Sequence, residues 1–540
     1  MPMARRGDMF DGMRRDARFA AIAAVLLAVW LWVCVRPSID GDFVYDDTSL
    51  IRDNARIAKF SIPRAREWFG QTLLGPEEAT RYYRPLLLAA FALDRQMWNL
   101  DARAFHLLNL FWYWLGAVAA GALAWRLGWS RWAAAASAFL FAVQPLHAQA
   151  VCYMSGRGDV QYLALALLAL HAALSAWRSS RASWAWNLAA GILFAAAMLT
   201  KEMAALALPW AILMALLARA PRRDFMRSVI VLAATLIGVV ALRMHAAPAG
   251  SGGPGAFYPI GETAKLFARA AGFYASNWIL PFRLALDRTL VPGTQENSFY
   301  GWLGLVVLPA AIAVTAWAWK NRENSDDRRL LFALAWTGVA FLAASNLIRL
   351  SATAADHWAL PMSVGLCWAV ACLGQKIWET RPSRRLLLSI VGALIFVTWS
   401  GQLRARSLDW SNGLALYQAN LEAGVVSTRV LNNYALELSL SHQNEDALRY
   451  VDEALRLEPN NLSARANRAV ILDRLGGHDR ALDEVRALAR EHPHYEQVWV
   501  AYLVIVRKDP AQFQTIGREA LSQGEEFPRV RALLRSPPRR

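Results

Sequence analysis

The sequence predicts an all-α protein in two parts, a polytopic membrane helical domain of about eleven spans and a short α-solenoid after it. Three observations predict this. Apolar residues make up 56% of the chain and charged residues 19%, where a soluble domain carries about a quarter charged residues. The apolar residues gather between about 18 and 402 in runs near the roughly 20 residues a helix needs to cross a bilayer. After 402 the chain becomes charged and amphipathic, and it repeats itself.

The elements follow in order. Residues 1–17 are a basic N-terminal tail containing Arg5, Arg6, Arg14 and Arg15. The apolar run behind it ends in Cys34-Val35-Arg36-Pro37 with no small-x-small cleavage site, so it reads as an uncleaved signal anchor. The membrane domain, 18–402, has runs at 18–36, 103–126, 132–150, 160–178, 183–199, 203–219, 228–245, 299–319, 329–346, 358–375 and 386–402. With the N-terminus in the cytoplasm, each short cytoplasmic loop receives cations. These are Arg126 and Arg131, Arg178 and Arg181, Arg219 to Arg227, Lys320 to Arg329, and Lys376 to Arg385. The pattern satisfies the positive-inside rule. It predicts a multi-pass protein of the inner (cytoplasmic) membrane with its C-terminal part in the periplasm. Segment 85–98 is short and carries Asp94 and Arg95; segment 262–282 is amphipathic and holds Pro281. Both are expected as helices at the outer interface. The loop arginines account for the net charge of +16 without a nucleic-acid partner. Cys34, Cys152, Cys367 and Cys372 show no ligand spacing and read as small buried hydrophobes.

Residues 403–530 are expected as a periplasmic repeat domain, with 531–540 a disordered end. Asn433, Ala435, Ala447, Leu448, Val451 and Pro459 recur 34 residues on as Asn467, Ala469, Ala481, Leu482, Val485 and Pro493. That is the tetratricopeptide period. Small residues let paired helices approach, and each proline stops a second helix. So short an array offers either a surface for a peptide or protein partner or a structural lid.

The topology sorts the ionisable groups, which are costly near a membrane and default to function. The first outer loop, 37–84, opens on Asp40, Asp42, Asp46 and Asp47 and closes on Arg81, Tyr82, Tyr83 and Arg84. His147, Arg157, Asp159, Lys201, Glu202, Arg243, His245, Asp356 and His357 fall on the same outer side. Carboxylates there can act as a base, and arginine, lysine and histidine can hold a phosphate. Each has a bland reading. Arg157 and Asp159 can form a structural ion pair, and Lys201 and Glu202 a mutual pair at a helix end. His147 can bond backbone freed by Pro145.

The order of motifs then becomes informative. Phe43-Val-Tyr-Asp-Asp-Thr-Ser-Leu-Ile-Arg-Asp-Asn54 is followed by Tyr82-Tyr-Arg-Pro-Leu86 and His106-Leu-Leu-Asn109. Then come Phe141-Ala-Val-Gln-Pro-Leu-His147, Ser155-Gly-Arg-Gly-Asp159, Thr200-Lys-Glu202 and the repeat tail. This resembles the transmembrane and tetratricopeptide repeat-containing proteins, whose animal members are protein O-mannosyltransferases. The resemblance implies a C-type glycosyltransferase that takes a sugar from a polyprenyl-phosphate donor to a hydroxyl of a protein or glycan acceptor. It implies an acidic motif in the first outer loop, here Asp46 and Asp47, serving as catalytic base or as ligand of a divalent cation such as Mg or Mn. Asp46 is expected to take the acceptor proton and Asp47 to orient the acceptor. Arg84, Arg157, Lys201 and His147, with Asp159 and Glu202 beside them, are expected around the donor phosphate. The chain has no Rossmann glycine fingerprint, which argues against a nucleotide-sugar donor. The competing class is a non-catalytic membrane scaffold that recruits partners through its repeats. The tail is much shorter than in the animal proteins.

Overall fold

The computed structural model describes residues 6–535 except 74–81, 180, 248–257, 283, 287, 289, 291–294, 351 and 524–526. Arg5, Arg81 and the stretch 536–540 lie outside the described residues. Apart from one isolated bridge between Arg288 and Ala354, the regular structure described is helical. The chain divides into two compact units, Met1–Asn412 and Gly413–Arg540.

In the first unit every one of the eleven apolar runs is helical, but they are not eleven equal spans. Eight helices among the described residues are long and apolar enough to cross a membrane, and a bent pair makes up to nine. The pair is Arg131–Val143 with Pro145–Cys152, broken by 53°. The break follows from Pro145, which lacks an N–H and clashes with a continuing helix. Two runs fall short for different reasons. Glu202–Ala218 is too short, and the helix Ser325–Ala344 gives its first turn to Asp326, Asp327, Arg328 and Arg329. The protein is a multi-pass membrane protein, and its outward faces are apolar. Ile230 and Ile237 on helix Arg222–Ala246, and Leu305 and Val306 on helix Gln295–Lys320, are exposed.

Helix Arg157–Arg178 is the interior element, buried along most of its length. Helix Arg6–Ile39 and helix Arg385–Asp409 pack together. Trp30 Nε1 donates to Ser400 Oγ (2.9 Å), the Ser38 amide to Ser407 Oγ (3.0 Å), and Ser407 Oγ to the Val35 carbonyl (2.9 Å). The Asp42 amide reaches the Ser411 carbonyl at 3.0 Å. The last helix therefore runs past residue 402, and the unit ends at Asn412. Segment 85–98 is a helix with Leu87, Leu88, Phe91 and Ala92 buried among Ile51, Ile57, Trp68, Phe105 and Met154. Its other face leaves Leu93 and Met97 exposed. The four cysteines are buried free thiols.

The second unit opens with helix Gly413–Glu422 and continues as helical hairpins. Thr428–Leu440 with Asn444–Leu457 is repeated as Leu462–Arg474 with His478–Glu491. The second pair sits 34 residues after the first at all four helix ends. Ala435, Ala447 and Val451 are fully buried, and so are Ala469, Ala481 and Val485. A last helix, Pro528–Arg535, occupies half of the stretch expected to be a disordered end.

Candidate active site

The acidic motif sits in a tight turn directly after the first span. Val44 is followed by Tyr45 with φ of 53°, a left-handed conformation uncommon outside glycine. One turn of wide helix then runs from Thr48 to Arg52. The turn sends the two carboxylates to different surroundings. Asp46 is exposed, whereas Asp47 is fully buried. Asp47 Oδ1 accepts from the Ser155 amide at 2.7 Å, and Oδ2 accepts from the Val44 amide at 3.3 Å. Burial pushes the Asp47 carboxyl up to about 7, against the pull of those donors. Neighbouring in sequence, the two do not form a joint chelate. No group of three or more histidine, cysteine or acidic side chains among the described residues could hold a metal ion. Both Asp47 oxygens are already taken by backbone amides in the interior while Asp46 is exposed, so the pair does not fit a shared divalent cation.

Segment 153–159 is the other half of the site, and each of its polar positions has a different client. The Tyr153 ring lies 5.8 Å from the Tyr45 ring and 5.2 Å from Trp410. Ser155 holds Asp47. Asp159 accepts from Lys201 Nζ at 2.7 Å. Next to Lys201, Glu202 takes a two-point bond from Arg84, at 2.6 and 3.1 Å, and Arg84 lies over the Tyr82 ring at 4.6 Å. Arg84 also feels the Asp159 charge. Two cations and two carboxylates, from the first loop, the central helix and the 201–202 turn, thus form one balanced cluster. The Lys201–Glu202 neighbours do not pair with each other; each crosses to another element.

Arg157 corrects an expectation. Its guanidinium is 1% exposed. It pairs with Asp94, donates from Nε to Asn109 Oδ1 at 2.8 Å and from Nη2 to the Phe105 carbonyl at 3.0 Å. It lies over the Phe91 ring at 4.9 Å. Asn109 turns its amide to the Tyr153 and Met154 carbonyls, at 2.7 and 3.2 Å. Arg157 is therefore a scaffold hub with its fork engaged internally, and its partner is Asp94, not Asp159. Gly156, just before it, is explained by space and not by freedom. Gly156 has φ of −66° and ψ of −6°, and an added Cβ would stand 2.9 Å from the Gln149 carbonyl oxygen.

His147 is also placed in the interior. It is fully buried, with Nδ1 at 2.7 Å from the Tyr113 hydroxyl and 3.0 Å from the Phe141 carbonyl. Pro145 cannot donate to the Phe141 carbonyl four residues before it, and that carbonyl instead accepts from the Gln144 amide at 3.4 Å and the Tyr113 hydroxyl at 2.8 Å. His147 sits at the break, and its Nδ1 is engaged there with Tyr113 and Phe141. Sequence reasoning missed Asp94 and Asn109 as members of the site. A lone aspartate among the apolar residues of 85–98 is the signal that marks Asp94.

No protein-family model matches the chain. The chain is similar to the protein O-mannosyl-transferases of the TMTC type. It is 23% identical to TMTC3 of Mus musculus over 499 residues, which cover 85% of this chain and 53% of that protein. It is 24% identical to TMTC4 of Homo sapiens over 479 residues, 77% of this chain and 64% of the relative. A shorter stretch of 175 residues is 31% identical to tmtc2 of Xenopus laevis, covering 31% of this chain and 20% of that one. The chain thus spans between about half and just under two thirds of the first two relatives. A solved structure, the apo oligosaccharyltransferase of Archaeoglobus fulgidus, superposes with a TM-score of 0.41 at 12% identity, over 73% of this chain and 56% of that chain.

Proposed function

We propose that the chain is a membrane glycosyltransferase that moves a sugar from a polyprenyl-phosphate carrier to a hydroxyl of a protein or glycan at the periplasmic face. One observation carries the reading. The exposed Asp46 stands on a turn that Asp47 fastens to segment 153–159, and that segment also leads to the Arg84–Glu202 and Lys201–Asp159 cluster. A base is presented and cations are held on one framework. That the relatives are named protein O-mannosyl-transferases supports it.

In the proposed step the acceptor oxygen attacks the anomeric carbon while Asp46 takes its proton. A carbon–oxygen bond to the acceptor forms. The bond from the anomeric carbon to the carrier phosphate breaks, and its electron pair leaves with the phosphate. A single displacement inverts the anomeric centre. Arg84 and Lys201 face the leaving phosphate by exchanging part of their bonding from Glu202 and Asp159 to its oxygens. Arg157 and His147 support the framework. Asp47 positions the turn and does not touch substrate. We assign the tail to a tetratricopeptide array that presents a surface for a peptide or protein.

The test is transfer by the purified protein, with release of polyprenyl phosphate as the readout. Asp46→Asn is expected to cut turnover by about 10²–10⁴-fold while the protein remains folded. Wild-type turnover in that variant excludes Asp46 as the base. If deletion of 413–540 removes the cellular phenotype and Asp46→Asn does not, the chain is a scaffold. Orientation is tested by fusion. Alkaline phosphatase joined after Asn412 is expected to be active and after Arg223 inactive, and the reverse pattern sinks the periplasmic assignment.

A further inference from the structure

A second group of buried polar atoms lies beyond the machinery described so far. The turn Asp356–Ala359 and the helix Arg385–Asp409 both pack on segment 145–152. From one side come Asp356, 2% exposed, and His357, whose amide donates to Gln149 Oε1 at 3.3 Å. From the other come Arg406 and the fully buried Trp410. Asp356 is within electrostatic reach of Arg406 and Arg288, and His357 within reach of Lys201, Asp159 and Arg84. Trp410 stands against Tyr153, and Tyr153 against Tyr45. The group therefore lies between the cation cluster and the acidic turn.

Four atoms here are buried and have no hydrogen-bond partner: Asp356 Oδ1, His357 Nδ1, Arg406 Nε and Trp410 Nε1. An unmet buried polar atom costs on the order of 1–3 kcal/mol, so four together point to something that meets them. Their chemistry says what. The Arg406 and Trp410 N–H groups can only donate, and the Asp356 carboxylate oxygen accepts. Charge is balanced, with Arg288 and Arg406 against Asp356 and Asp409, which Arg406 Nη1 contacts at 2.7 Å. A balanced set of donors and acceptors beside three aromatic rings suits a neutral polyhydroxylated ring, whose hydroxyls give and take hydrogen bonds. It suits a second phosphate poorly.

We propose that Asp356, Arg406 and Trp410 form the subsite that holds the sugar ring of the donor, with His357 joining it to the Lys201–Asp159 pair. The inference rests on the glycosyltransferase reading and adds residues to it. Asp356 accepts from sugar hydroxyls, Arg406 Nε and Trp410 Nε1 donate to them, and the anomeric carbon is directed toward Asp46.

The experiment is calorimetric binding to the full chain in lipid nanodiscs. The probes are bare citronellyl phosphate and citronellyl phosphates carrying mannose, glucose, galactose or N-acetylglucosamine. Wild type is expected to bind at least one glycosylated probe about ten- to a hundredfold more tightly than the bare phosphate, the size of a charge-assisted bond. Asp356→Asn and Trp410→Phe are each expected to remove most of that advantage and to leave affinity for the bare phosphate unchanged. Trp410→Phe keeps a ring in the core, so it tests the N–H if Asp356→Asn fails to fold. If both variants keep the advantage, these polar atoms do not hold the sugar and the inference falls while the proposed function stands. If wild type gains nothing from any sugar, the donor reading falls, and this subsite with it.

Discussion

The two units of the molecule use arginine differently. In the membrane unit Arg157 is almost fully buried, with Asp94, Asn109 and the Phe105 carbonyl as partners. In the repeat unit Arg468 joins Asp452 and Glu484, each at 2.6 Å, with 19% of its side chain in water. Both arginines tie helices together, but water can replace a lost partner in only one of them. A dry pair that loses a member strands a charge, whereas a wet pair returns its survivor to solvent. The contrast predicts a rigid ionic frame in the membrane unit and a tolerant one in the tail.

The largest effect is expected at the dry hub. Arg157→Ala should destabilise the membrane unit by about 3–5 kcal/mol, because Asp94 is left buried and uncompensated. Removing both charges, as in Arg157→Ala with Asp94→Ala, should cost less than the sum of the two single changes. Thermal unfolding followed by size-exclusion of the detergent-solubilised protein measures this. A single variant as stable as wild type would break the comparison.

The next effect belongs to Asp47, and its sign is fixed by burial. The carboxyl titrates near 3.8 when free and at about 7 in the fold, so between those values the folded state keeps a proton that the unfolded state has lost. Its contribution to stability is full below about pH 3.8, declines as pH rises toward 7, and is then flat. Melting temperature measured from pH 4 to pH 8 should fall over that window in wild type and less steeply in Asp47→Asn. Parallel curves would show that Asp47 is not the buried group described. The smallest effect is expected in the tail. Arg468→Ala should cost up to about 1 kcal/mol, and the difference from wild type should shrink in high salt. Chemical unfolding of the tail at two salt concentrations sharpens the contrast between wet and dry.

What the sequence made legible follows the same division. The apolar runs, the proline break and the 34-residue repeat are local, and each is visible in the helices. Pro145 even marks the carbonyl it cannot bond, since Phe141 sits four residues before it. Partner choice was not legible. Arg157 has Asp159 two residues away and bonds Asp94, 63 residues distant. Lys201 abuts Glu202 and bonds Asp159 instead. Spacing along a chain says which charges are near in sequence, and helix packing decides which are near in space. For the same reason the division of labour within Asp46-Asp47 was invisible, because burial of one and exposure of the other depends on segment 153–159 arriving from elsewhere.

The clasp between the first and last membrane helices also has a meaning in time. Ser38 and Ser407 are 369 residues apart, and a ribosome adding about 5–20 residues per second needs on the order of twenty seconds to a minute to cover that distance. Throughout that interval the first helix is in the bilayer with its seryl and tryptophan groups waiting for a neighbour not yet translated. The acidic turn that follows it lacks the Ser411 anchor for just as long. A chain interrupted before its last membrane helix would keep its carboxylates and the Ser155 bond to Asp47 yet lack the Ser411 contact to Asp42, so the first loop gains its second anchor only when the last membrane helix has been made.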